Sequence, residues 1–270
     1  DATARQRFGT TCAALVSDVG AAGLDVYWWN TGAWGENPET QWPNYVELLR
    51  SARAALDAES TDPRLELSFF GPGDLGVVPA EALAEAVSIV DIAATISFDF
   101  IGSWDLSSTG FAASLFAPSG YSVDLVVGAW RATGADVSKL QIGMALYGWG
   151  WQGVSSIDNG LFQVPGGSAD GGDVVPGRFA YDDLDPIPTG FSRFYDSERR
   201  APWLYSPTAE VFITYEDRVS AAAKAEYVID QGLAGVMGTE ISYDRRGVLL
   251  GTVVRTFQRA AEGSGDGSGE

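Results

Sequence analysis

Short apolar runs alternate with helix-like runs along most of this chain. Five of the runs have the length and content of buried strands, at 23–28, 65–70, 93–98, 140–147 and 233–238. Between them, apolar residues recur at three- and four-residue spacing, as in Tyr45, Leu48, Leu49, Ala52 and Leu56. Strands that alternate with helices predict a parallel sheet with helices outside it, an α/β fold. Phe8 to Val19 predicts a helix closed by Gly20, and Trp42 to Ala58 a second with Pro43 in its first turn. Further helices are expected at Pro79 to Val90, Ser122 to Ala132, Ser220 to Asp230 and Val248 to Ala260. Gln152 to Pro207 is rich in Gly, Pro and Asp, and Ala209 to Tyr215 follows as a strand pattern, so an insertion of short antiparallel strands is expected. The expected division is 1–154 with 218–261 as the main domain, 155–217 as the insertion, and 262–270 as a disordered Gly/Ser/acidic tail.

Composition narrows the function classes. The 270 residues are 46% hydrophobic, which suits one large domain or one domain with an insertion. No apolar run reaches about 18 residues, so no membrane-crossing helix is expected. No secretory leader is visible at Asp1, and a trimmed chain would show none. The net charge of −19 opposes nucleic acid and anionic membranes as partners, whereas a neutral glycan is compatible with it. High acidity also suits an extracellular or surface setting. Cys12 is the only cysteine, which excludes an intrachain disulfide, and it reads as a small buried hydrophobe. Without histidine, Ser-His and Cys-His chemistry and the usual zinc sites are excluded, and no cofactor or metal is expected. Asp170, Asp173, Asp182, Asp183 and Asp185 lack the spacing of a calcium loop and read as a solvated acidic face.

The first strand, Gly23 to Trp28, reads as buried, with Leu24, Val26 and Trp28 alternating with Asp25, Tyr27 and Trp29. It runs into a polar loop, and in βα-repeat proteins that end of a strand faces the active site. Ala22-Gly23-Leu24-Asp25-Val26-Tyr27-Trp28-Trp29 resembles the Asp-Gly-x-Asp-x-Asp-x-Glu motif of family 18 glycoside hydrolases, the chitinases and their relatives. Gly23 and Asp25 match, while Ala22, Tyr27 and Trp29 stand where the family has acids. Later segments are similar to the family in the right order. Ile96 to Asp105 resembles the sixth-strand Met-x-Tyr-Asp followed by Gly and Trp-Asp. Gly143 to Gly148 resembles Gly-x-Pro-x-Tyr-Gly-Arg, with Ala145 for the proline and Trp149 for the arginine. Phe194 to Asp196, Pro202 to Tyr205 and Phe212 to Asp217 look like the family's insertion, and Gly232 to Met237 like its eighth strand.

The resemblance implies a (β/α)8 TIM-barrel type, here an incomplete arc of strands four to eight, with an α+β insertion between strands seven and eight. The family's three preceding units have no counterpart, so the edge of strand four is expected to be open or covered by another segment or a protein partner. The implied mechanism is substrate-assisted: the substrate's acetamide attacks, and one glutamic acid protonates the leaving oxygen. Trp29 occupies that glutamate's position, and loss of a general acid costs roughly 10²–10⁴-fold. No catalytic residue is therefore assigned. The expectation is an inactive chitinase-like module that binds a glycan, chitin or another N-acetylglucosamine-containing polymer, or acts as a structural or interaction part. Trp28, Trp29, Asp99, Trp104, Tyr147, Trp149 and Glu240 are the candidate binding residues, aromatic faces for sugar C–H surfaces and polar groups for hydroxyls. Two alternatives stay open: an active hydrolase with a relocated acid (Asp99, Asp105 or Glu240), and a protein-assembly module without glycan binding. Bland roles are also weighed: Asp25 as a structural acid, Trp29 as a plug, Trp28 and Trp104 as core, and Glu240 as an ion-pair partner of Arg245 or Arg246.

Overall fold

The computed structural model describes residues 1–28, 37–59, 62–76, 78–173 and 175–265. In chain order the elements are α1 (Ala2–Val19), β1 (Gly23–Tyr27), α2 (Pro38–Ala58), β2 (Glu66–Gly71), α3 (Ala80–Ile89), β3 (Ile92–Thr95), α4 (Val123–Ala132), β4 (Leu140–Ala145) and β5 (Tyr147–Gln152). There follow β6 (Gly167–Ser168), β7 (Arg178–Ala180), α5 (Tyr181–Leu184), β8 (Ser192–Asp196), β9 (Ala201–Ser206), β10 (Val211–Thr214), α6 (Arg218–Gln231), β11 (Gly235–Thr239) and α7 (Val248–Gly265). Among the described residues, no helix is long and apolar enough to cross a membrane.

The five expected strands form one sheet in the order β1-β2-β3-β4-β11. The pairs from β1 to β4 are parallel, joined by helical crossovers, so the α/β expectation holds. A second sheet runs β6-β5-β10-β9-β8, with β7 also on β5, and its described pairings are antiparallel.

Several local readings change. Asp1 caps α1 by accepting from the Ala4 amide at 2.8 Å, so the helix starts before the apolar periodicity that begins at Phe8. Gly20 ends it in the left-handed conformation, as expected. α2 starts at Pro38, which places Pro43 inside the helix instead of in its first turn. The apolar run 140–147 is two strands. Leu146 is the changeover: its carbonyl accepts from the Tyr181 amide at 3.0 Å, and Tyr147 opens the antiparallel sheet. β1 is a terminal strand of its sheet, and of its alternating set only Val26 is fully buried. Cys12 is half-buried. α7 continues to Gly265, past the start of the expected tail at Glu262.

Two compact units divide the chain. The first is Asp1–Ile96, Val126–Ile142 and Gly232–Gly235; the second is Ser97–Leu125, Gly143–Gln231 and Val236–Glu270. In the first, Trp42, Leu49, Leu67, Phe69, Leu83 and Trp130 are buried, and Trp130 stacks on Phe69 with centroids 6.1 Å apart. In the second, Leu146, Tyr181, Leu204, Ile213 and Leu249 share one apolar cluster.

The two lysines of the chain have structural posts, one in each unit. Lys139 donates to the Val90 and Val87 carbonyls at 2.7 and 3.2 Å, satisfying the C-terminal end of α3. Lys224 is fully buried, donates to the Ala113 carbonyl at 2.7 Å and pairs with Glu216. Glu216 is pushed up by burial against the pull of that ammonium.

Candidate functional site

Asp99 is the centre of a polar and aromatic cluster in the second unit. The segment after β3 holds it in the left-handed region, φ 57°, which is uncommon for a residue other than glycine. Both carboxylate oxygens are engaged. Tyr147 donates its hydroxyl to Oδ2 at 2.8 Å, and Trp149 donates its indole N–H to Oδ1 at 2.7 Å. Tyr147 and Trp149 are two residues apart on β5 and so share a face. Burial raises the Asp99 carboxyl above the usual range, while the two hydrogen bonds and the Arg178 charge oppose the shift. Tyr147 is raised by burial and then by the Asp99 charge.

Trp104 projects from the same segment and is 59% exposed. Its ring meets Trp149 nearly edge-on, with centroids 4.7 Å apart. Beneath it lies Gly102, where an added Cβ would fall 2.1 Å from the Trp104 ring. A side chain at this position would displace the indole from its seat on the backbone. The result is an exposed aromatic beside a half-buried, doubly hydrogen-bonded carboxylate.

Three supporting residues carried no motif. Arg178 pairs with Trp149 across the β5–β7 register and lies 5.5 Å over the Tyr147 ring and 5.7 Å over the Tyr243 ring. Asp173 accepts from Arg178 Nε at 2.8 Å and from the Tyr243 hydroxyl. Their only signal in the sequence was an acid five residues before an arginine in a Gly-rich stretch.

Glu240 is exposed and accepts from the Ser242 hydroxyl at 3.0 Å. Arg245 and Arg246 pair with Asp182, not with Glu240. Asp182, Asp173 and Asp185 all meet arginines, so these members of the expected acidic face are ion-pair partners. Asp105 is held below the usual carboxylate range by hydrogen bonds from Ser107.

Asp25, Tyr27 and Trp28 belong to the first unit. Asp25 is exposed and accepts from the Ser68 hydroxyl at 2.6 Å, its partner in the β1–β2 register. Ala22 is exposed and accepts from the Glu66 amide at 2.9 Å. Tyr27 packs on Phe70 at 5.1 Å. Trp28, with Arg5, Phe8, Asn44, Tyr45 and Leu48, lines a cavity of about 560 Å³ that the sequence did not announce. Trp29 lies outside the described residues. Among the described residues, no group of His, Cys, Asp or Glu could hold a metal ion.

Parallel strands joined by helical crossovers place the chain in the class of α/β folds. Residues 1–244 match Glycosyl hydrolases family 18, and the chain belongs to that family. Chitinase A1 of Niallia circulans is 28% identical over 267 residues, which cover 92% of this chain and 38% of that protein. The chain thus spans less than half the length of that relative. Chitinase ChiW of Paenibacillus sp. str. FPU-7, a cell-surface-expressed multi-modular enzyme, is similar with a TM-score of 0.84 and 32% identity, covering 94% of this chain and 23% of that one. A family 18 N-acetylglucosaminidase of Paenibacillus barengoltzii has a TM-score of 0.80 and 27% identity, covering 93% and 75%.

Proposed function

We propose that this chain is a catalytically silent, chitin-oligomer-binding member of family 18, and that its five-stranded sheet corresponds to strands four to eight of a (β/α)8 barrel. One observation carries the reading: the position of the proton-donating glutamate holds the indole of Trp29. An indole N–H is a donor of hydrogen bonds and not of protons near neutral pH. The relatives are named as chitinases and an N-acetylglucosaminidase, which supports N-acetylglucosamine polymers as the ligand class and a cell-surface or extracellular setting.

The Asp99 cluster has the chemistry such a ligand requires. Trp104 offers an aromatic face to the apolar side of a sugar, and Asp99 and Tyr147 offer polar atoms to hydroxyl or acetamide groups. A relocated acid is disfavoured by the same geometry. Burial raises the Asp99 carboxyl, but both its oxygens already accept hydrogen bonds, and Asp105 is held low by Ser107. Incubation with a chromogenic chitobioside should release no product above a protein-free blank, while calorimetry with chitotetraose should show binding. Product release that disappears in Asp99→Ala would overturn the silent-module reading.

A further inference from the structure

Beyond the Asp99 cluster, the segment from Ile157 to Gln163 concentrates strained backbone. Asp158, Asn159 and Phe162 have φ of 50°, 53° and 57°, and Gly160 has 80°. An aromatic side chain in the left-handed region is a genuine outlier, and such outliers persist only when the surroundings over-determine them. Here they do. Thr109 Oγ1 donates to the Gly160 carbonyl at 2.6 Å and accepts from the Gln163 amide at 3.0 Å. The Thr109 amide donates to the Gln163 carbonyl at 2.8 Å, and Trp203 Nε1 to the Asn159 carbonyl at 3.1 Å.

All this fixes a ring in solvent: Phe162 is 54% exposed. Arg199 lies 5.5 Å over the ring and is itself paired with Asp196 at 2.7 Å. Phe111 meets the ring edge-on at 6.0 Å. Left-handed backbone is ordinary for the Asp-Asn-Gly turn, but not for Phe162, and a core phenylalanine would be buried.

We propose that Phe162, with Arg199 and Asp196, forms a second sugar-contact site that takes an N-acetylglucosamine unit of a longer chitin oligomer. A rigid aromatic beside a guanidinium–carboxylate pair supplies both a stacking face and planar hydroxyl partners. The segment that seats Phe162 through Thr109 and Phe111 also presents Asp99 and Trp104, so one stretch of chain serves both contacts. This inference rests on the chitin-oligomer reading.

The test is Phe162→Asn, because asparagine tolerates left-handed backbone far better than phenylalanine. F162N should melt no lower than the wild type and bind chitobiose unchanged, yet bind chitohexaose about fivefold more weakly. Phe162→Tyr should bind both like the wild type, and Phe162→Gly, which accepts the same φ, should repeat the F162N result. If F162N and Phe162→Gly bind chitohexaose like the wild type while Trp104→Ala weakens both oligomers, the second site is refuted and the functional reading stands. Wild-type protein that binds neither oligomer refutes both. A change of F162N from oligomer to monomer on size-exclusion chromatography would assign the ring to self-association and overturn the proposal.

Discussion

Asp25 and Asp99 both match the family pattern, and their surroundings differ sharply. Asp25 lies on a terminal strand, exposed, with a single serine hydroxyl donating to it. Asp99 is half-buried on left-handed backbone, with a phenol and an indole on its two oxygens and an arginine close enough to temper its titration. Around Asp25 the acids of the motif are gone: Ala22 and Tyr27 replace two of them. Around Asp99 the aromatic and polar neighbours form a connected set. A motif position that survives therefore says little by itself. What separates a residue with a role from a residue left over is whether its neighbours are committed to it.

That contrast can be broken in order of expected effect. Lys224 ties the segment bearing Asp99 and Trp104 to α6 through the Ala113 carbonyl. Lys224→Ala strands Glu216 as an unpaired buried acid and should cost about 3–5 kcal/mol in guanidinium unfolding. Loss of under 1 kcal/mol would mean that the second unit does not depend on this anchor. Asp99→Ala deprives Tyr147 and Trp149 of their acceptor, and should cost about 1–3 kcal/mol and at least about tenfold in chitotetraose affinity. Trp104→Ala should weaken that affinity about fivefold while leaving the melting temperature nearly unchanged, because the ring is largely in solvent. Asp25→Ala sits at the other end: a stability change within about 0.5 kcal/mol and no change in binding. If Asp25→Ala matched Asp99→Ala in either measurement, the contrast would be wrong.

A pH series sharpens it further. The Asp99 carboxyl is raised in the folded state, so its protonated form is favoured there. Its contribution to stability is present below the ordinary carboxylate range and is lost as pH rises through the higher folded value. The stability difference between wild type and Asp99→Asn should therefore shift against the wild type on going from about pH 3 to about pH 7. A flat difference across that span would show that burial does not control this group.

Local signals made most of the sheet legible. Each of the five apolar runs supplied one strand of one sheet, the fourth also giving Tyr147 to the second sheet, and Gly20 closes α1 as its position suggested. Two local motifs supplied Asp99 with Trp104 and Tyr147 with Trp149, and the fold brings these four side chains together. What escaped was set by distance along the chain. Glu240 has arginines five and six residues ahead, yet both reach Asp182, some sixty residues away, because tertiary packing and not spacing decides ion pairs. Arg178, Asp173 and Tyr243 meet only through strand pairing and packing in the fold. The break at Leu146 was invisible because both strands it separates are apolar, and only their partners differ.

The burial of Lys224 has a practical consequence. With one amine out of solvent and that of Lys139 lodged on backbone carbonyls, amine-directed dyes have few places to react. Slow labelling at Lys224 would then act as a clock for local opening around Ala113, timing how often the strip that presents Trp104 comes loose from its mooring.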